Sequence, residues 1–161
     1  MPGVGKSTIG KKLAIALDYK FYDLDNLIVS SQSKSIEEIF TTKGENYFRA
    51  IETKILKETS NLKQAVIACG GGTPAFNNNI NWLNKNGLTL YLKASLGFIL
   101  NRITNAKQAR PLLKSDVFES LEEKLQRLFL QREPYYKQAT ITFKISSENI
   151  QDIVNELIKL I

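Results

Sequence analysis

The chain has 161 residues, 43% hydrophobic and 24% charged, which is the size and make-up of one globular domain with a single core. Lys and Arg number 22 against 16 Asp and Glu, a formal charge of +6 that favours anionic ligands, and the absence of histidine excludes an imidazole base or a histidine metal ligand. A single cysteine, Cys69, excludes an internal disulfide and fits a reducing, cytoplasmic compartment, while no apolar run of about 18 residues is present to span a membrane and no secretory signal can be read.

The chain opens Met1-Pro2-Gly3-Val4-Gly5-Lys6-Ser7-Thr8, which carries the glycine, lysine and hydroxyl of a GxxxxGK[ST] phosphate-binding loop. Gly5 lets the backbone turn its N–H groups toward a triphosphate, Lys6 reaches the β- and γ-phosphates, and the Ser7 hydroxyl is placed to ligate Mg²⁺. Gly3, Val4, Gly5, Lys6, Ser7 and Thr8 are therefore the candidate nucleotide contacts, which the resemblance given below makes ATP contacts. Ile9, Leu13, Ala16 and Leu17 fall on one face of a following helix, whose positive end points at the phosphates. The bland alternative makes Ser7 or Thr8 a helix cap at a flexible end. The pattern places its first glycine six residues before Lys6, one position ahead of Met1, and no apolar strand precedes the loop, so the expectation is a true start upstream.

β-rich runs at Lys20 to Leu24, Ala65 to Cys69, Leu88 to Lys93 and Thr140 to Ile145 alternate with helix-like sequence, which predicts an α/β domain with a mainly parallel sheet. Asp23 and Asp25 end the first run, and residues two apart on a strand point the same way, at the edge where ligands bind in parallel sheets. The competing assignment is Asp25 as a helix cap and Asp23 as a solvated strand end. A helical stretch from Ser35 to Asn61, broken near Lys43-Gly44, is longer than a crossover needs, so a substrate-binding helical segment is expected at 26–61. Within it Arg49 lies one turn from Glu52, which can hold its fork of donors.

Gly70-Gly71-Gly72 follows the second strand directly and suits either a binding loop that lets a ligand approach the main chain or a plain tight turn. The segment 105–117 lacks periodicity, holds Arg110-Pro111 at its centre and is a candidate lid. Leu121, Leu125, Leu128 and Phe129, then Ile150, Ile153, Val154, Leu157, Ile158 and Ile161, form helical stripes expected to face the core. Arg132 lies at a helix end in Arg132-Glu133-Pro134-Tyr135-Tyr136. Residues 1–161 read as a single domain without repeats or linkers.

Taken together, Gly-Val-Gly-Lys-Ser-Thr, Asp-Leu-Asp, Phe-Arg-Ala-Ile-Glu, Gly-Gly-Gly, Arg-Pro-Leu-Leu and Arg-Glu-Pro-Tyr-Tyr occur in the order and near the spacing found in shikimate kinases, and the chain resembles that family over essentially its whole length. The resemblance implies a three-layer P-loop kinase with five parallel strands in order 2-3-1-4-5, the first of them missing or outside this chain. It implies transfer of the ATP γ-phosphoryl to the 3-hydroxyl of shikimate, a step on the route to chorismate and the aromatic amino acids. In that reading Lys6, Asp25 and Arg110 are catalytic, and Ser7 and Asp23 (the latter through water) hold Mg²⁺. Asp25, Arg49, Gly71, Gly72 and Arg132 bind shikimate, and Glu52 orients Arg49. Arg110 and Arg102 also contact the nucleotide. The implied partners are ATP and shikimate, with a monomer expected and no nucleic acid or membrane. Alternatives are another small-molecule kinase, such as a gluconate kinase, with less need for two arginines aimed at a carboxylate, or a non-catalytic nucleotide- or nucleic-acid-binding protein using the basic surface.

Overall fold

In the computed structural model, which describes residues 1–105, 120–145 and 149–161, helix α1 (Lys6–Ala16) starts directly from Gly5, held at φ 95°. Its buried side is Ile9, Gly10, Leu13 and Ala14, whereas Ala16, expected on that face, is exposed. Ala16 is the last residue of the helix, beyond the packed part of that face; at Gly10 a Cβ would stand 2.8 Å from Cε2 of Phe21, so the bare backbone admits the ring. Strand β1 (Lys20–Asp23) ends at a carboxylate that caps helix α2 (Leu24–Gln32) by accepting from the Asp25 N–H.

Helix α3 (Ile36–Glu58) begins with a reciprocal capping box between Ser35 and Glu38. It kinks at Gly44, whose φ 78° and ψ 172° are open to glycine and costly for a side chain. The break therefore falls where the sequence placed it. Strand β2 (Ala65–Ala68) leads through the glycine triplet to a single tight turn at Thr73–Ala75 and helix α4 (Asn79–Asn86). Strand β3 (Leu90–Lys93) and helix α5 (Leu96–Thr104) follow, then helix α6 (Leu121–Tyr136), strand β4 (Ile141–Lys144) and helix α7 (Ile150–Ile158).

All ladders among the described residues are parallel. β1 pairs with β2 in register Lys20↔Ala65 to Asp23↔Ala68, and β3 with β4 in register Leu90↔Ile141 to Lys93↔Lys144. Instead of one continuous sheet there are two two-stranded sheets, which correspond to the outer pairs, 2-3 and 4-5, of the order the resemblance implies. Side chains join them. Val4, Ile9 and Leu13 pack with Leu92, Phe143, Ile145, Ile153, Val154 and Leu157 in one buried cluster, against which Val66 of β2 also rests. Each such side chain removed from water contributes about 1.5–3 kcal/mol.

A second cluster under α5 and α6 contains Met1, Tyr91, Ile99, Leu125 and Tyr136, and a third between α2 and α3 contains Leu24, Ile28, Ile39, Phe48 and Leu56. The two helical stripes of the second half are thus core-facing in their central residues. Ile158 and Ile161 depart from that expectation, being 39% and 53% exposed, because α7 packs one narrow face on α1 and ends at Ile158. The proposed lid, with Arg110, lies outside the described residues except for Asn105, which closes α5.

Candidate active site

The phosphate loop is set by two glycines, Gly3 at φ 81° and Gly5 at φ 95°, conformations an L side chain resists. Gly5 is the N-cap of α1 and offers no side chain to the helix end, so neither Ser7 nor Thr8 is the cap. The Lys6 ammonium donates to the Met1 carbonyl at 2.9 Å, curling the loop around its own lysine. Arg102, on α5, donates to the Val4 carbonyl at 3.3 Å and rests on the Phe98 ring at 5.0 Å, with a guanidinium nitrogen only 3.1 Å from where a Gly5 Cβ would be. Sequence spacing left Arg102 loosely placed; the fold brings it onto the phosphate loop.

The Ser7 hydroxyl donates to Asp23 Oδ2 at 2.7 Å, while Asp23 Oδ1 accepts from the Asp25 N–H at 3.1 Å. One carboxylate thus spans the loop and the start of α2. Asp25 is in the first turn of that helix, not on the strand as expected, because the Asp23 side chain ends β1 by capping the helix. The Asp25 carboxyl is held above its ordinary range. Loss of hydration among the surrounding groups is the main cause, followed by the charges of Asp23 and Glu52, with Lys6 and Arg49 pulling the other way.

The glycine triplet forms a wall, and at Gly72 its bareness is required. At Gly70 a Cβ would stand 3.1 Å from Thr73 Oγ1, 3.2 Å from Glu52 Oε1 and 3.3 Å from Asp25 Oδ1. At Gly71 it would stand 3.5 Å from Arg132 Nη1, and at Gly72 only 2.7 Å from both Arg49 Nη1 and Nη2. Two guanidiniums from distant helices, α3 and α6, therefore meet adjacent residues of one loop, and Asp25 stands at the third.

Arg49 is buried, with its side chain 6% exposed. Nη1 donates to Glu52 Oε2 at 2.9 Å, Nε and Nη2 donate to Glu45 Oε1 at 3.1 and 2.9 Å, and the Phe76 ring lies 4.1 Å from Cζ. Glu52, 1% exposed, is itself held by the Thr73 hydroxyl at 2.6 Å, and the Thr73 carbonyl accepts from Asn79 Nδ2 at 3.0 Å. Tyr136 donates to the Gly71 carbonyl at 2.6 Å; burial pushes its phenol up, and the Arg132 charge pulls the other way. Cys69, at the end of β2, has its thiol pushed up to about 12 by burial and by the Glu52 charge, which removes it as a nucleophile at neutral pH.

Lys6, Ser7, Asp23, Asp25, Arg49, Glu52, Gly71, Gly72, Arg102 and Arg132 are brought around one region, and Arg110 lies outside the described residues. Glu45, Thr73, Phe76, Asn79 and Tyr136 were not foreseen. The Glu45 signal was available in its four-residue spacing from Arg49, while Thr73 and Tyr136 act across separations of 21 and 65 residues that no local pattern reports.

Comparison with known proteins gives a consistent result. The family model described as shikimate kinase matches residues 2–161. A shikimate kinase from Azobacteroides pseudotrichonymphae genomovar. CFP2 is 41% identical over 96% of this chain and 92% of its own, and one from Parabacteroides distasonis is 36% identical over 99% and 94%. Among solved structures, shikimate kinase from Bacteroides thetaiotaomicron has a TM-score of 0.89 at 33% identity, covering 98% of this chain and 92% of its own. Shikimate kinase from Acinetobacter baumannii in complex with shikimate has a TM-score of 0.89 at 34% identity, covering 99% and 88%.

Proposed function

The chain belongs to the shikimate kinase family, and from that premise we propose how its own residues carry the reaction. It is a shikimate kinase, transferring the γ-phosphoryl of ATP to the 3-hydroxyl of shikimate to give shikimate 3-phosphate and ADP in aromatic amino-acid biosynthesis. Phosphoryl transfer asks a protein chiefly for positioning and charge stabilisation, which is work for lysine and arginine and needs no histidine.

The observation that carries the assignment of roles is the glycine wall, with Arg132 beside Gly71 and Arg49 beside Gly72. Paired guanidiniums suit a planar carboxylate, since each presents parallel N–H donors. Arg49 and Arg132 hold the shikimate carboxylate, and the Gly71 and Gly72 main chain lies along the ring. Asp25 accepts a hydrogen bond from the attacking hydroxyl and takes its proton, a task its raised carboxyl pKa suits better than an ordinary aspartate. Gly3 to Thr8 cradle the phosphates, Lys6 neutralises the β- and γ-phosphate charge, and Arg102 borders the nucleotide from α5. Arg110, on the segment outside the described residues, is assigned to the transferring phosphoryl group by resemblance alone.

Mg²⁺ fits the Ser7–Asp23 pair, because both offer hard oxygen donors and the 2.7 Å bond between them marks a place where a hydroxyl and a carboxylate converge beside the phosphate loop. Bound there, it would supply charge neutralisation on the phosphate oxygens. The reading takes the enzyme as a cytoplasmic monomer with no nucleic-acid or membrane partner; among the described residues no helix is long and apolar enough to cross a membrane.

A coupled assay of ADP release, with and without shikimate, tests the activity, and gluconate in place of shikimate separates the related sugar-acid kinases. Arg132→Ala tests the clamp. Loss of one charge-assisted contact, worth about 1.5–3 kcal/mol, raises KM for shikimate roughly 10- to 150-fold and leaves KM for ATP within about twofold. ADP release that ignores shikimate would reject the proposed roles.

A further inference from the structure

Arg49 is enclosed on every side that the substrate would need. Glu52 takes Nη1, the Gly72 backbone closes over Nη1 and Nη2, the Phe76 ring covers the guanidinium, and Glu45 takes the Nε–Nη2 edge with a single oxygen. Only one of these neighbours can leave. Glu52 is buried and pinned by Thr73, and Gly72 and Phe76 are part of the wall, whereas the Glu45 side chain is 53% exposed. Glu45 also directly follows Gly44, the kink of α3, around which a built Cβ meets nothing within 4 Å, so the start of the second helical segment has room to turn.

Resting on the proposed carboxylate clamp, we infer that Glu45 is a displaceable internal carboxylate, occupying on Arg49 the edge that the substrate carboxylate takes and yielding it when shikimate binds. The exchange swaps one carboxylate for another on the same donors, so the buried guanidinium never stands uncompensated, a strongly unfavourable condition. It also makes the site selective, because a neutral group of the same shape cannot replace the charge of Glu45. Glu45 is thus a specificity-determining residue that weakens the binding of the correct substrate in return for rejecting uncharged analogues.

The test compares wild type, Glu45→Gln and Glu45→Ala by shikimate-dependent ADP release, with thermal unfolding of each to establish that it is folded. With the competing charge removed, KM for shikimate is expected to fall roughly three- to tenfold, as suits a half-exposed ion pair, with kcat and KM for ATP within about twofold. The glutamine variant keeps the side-chain bulk and serves if the alanine variant does not fold. An unchanged or raised KM for shikimate in a folded variant would overturn the inference and leave the clamp intact. Absence of shikimate-dependent turnover in the wild type would instead overturn the clamp, and this inference with it.

Discussion

Gly72→Ala isolates the geometry of the proposed substrate clamp without replacing a charged group. Gly72 has φ −86° and ψ −25°, which alanine adopts without strain, so the backbone is expected to stay in place. The new methyl would stand 2.7 Å from Nη1 and Nη2 of Arg49 and 2.9 Å from Cζ, against an ordinary contact beginning at 3.4 Å. The guanidinium must therefore retreat by about 0.7 Å, and it is tied to Glu52 at 2.9 Å and to Glu45 at 2.9 Å. A shift of that size carries Nη1 and Nη2 out of line with the proposed position of the shikimate carboxylate and loses one charge-assisted hydrogen bond to it, about 1.5–3 kcal/mol, or roughly 10- to 150-fold in KM for shikimate. The coupled ADP-release assay reads this directly, with KM for ATP as the internal control, since the phosphate loop is untouched. A KM for shikimate within threefold of wild type, in a variant with native melting behaviour, would refute the placement of Arg49 against the wall.

Thr73→Val removes the hydroxyl that holds the buried Glu52 carboxylate and is expected to cost about 1–3 kcal/mol, a fall in Tm of roughly 2–4 °C per kcal/mol for a chain of this size, checked by calorimetry. Tyr136→Phe frees the Gly71 carbonyl; a rise of roughly three- to tenfold in KM for shikimate with little change in ATP kinetics is the expected outcome, read in the same assay. For Asp25, the folded protein keeps the proton to higher pH than the unfolded chain, whose carboxyl titrates near the ordinary 3.8. Its penalty on folding is therefore absent below that value and grows as pH rises through the raised folded pKa. Asp25→Asn should accordingly melt higher than wild type at pH 7, with the gap closing as pH falls toward 4, while kcat drops by roughly 10²–10⁴. Equal melting temperatures at pH 7 would contradict that environment for Asp25.

Much of the site was legible because its residues sit in short stretches whose chemistry is local. The turn into α1 needs Gly3 and Gly5, and the hydroxyl after Lys6 reaches the end of the next strand, so the loop and Asp23 could be read together. Arg49 and Glu52 declare themselves by helical spacing. What escaped was decided by competition or by distance. Asp25 falls in the helix and not on the strand because Asp23 Oδ1 caps α2 while Oδ2 still reaches Ser7, a double use that local pattern does not report. Periodicity points Ala16 inward but does not report that the helix ends there, which leaves it exposed. The Thr73, Asn79 and Tyr136 bonds join segments far apart in the chain and emerge only when the helices are packed.

The Tyr136–Gly71 bond joins the last turn of α6 to the glycine loop across 65 residues of chain. Arg132 lies one turn earlier on the same helix, with Nη1 3.5 Å from where a Gly71 Cβ would be, and Arg49 meets the next residue of the loop. One phenol thus acts as a dowel that indexes the helix bearing one arginine against the strip of backbone facing the other.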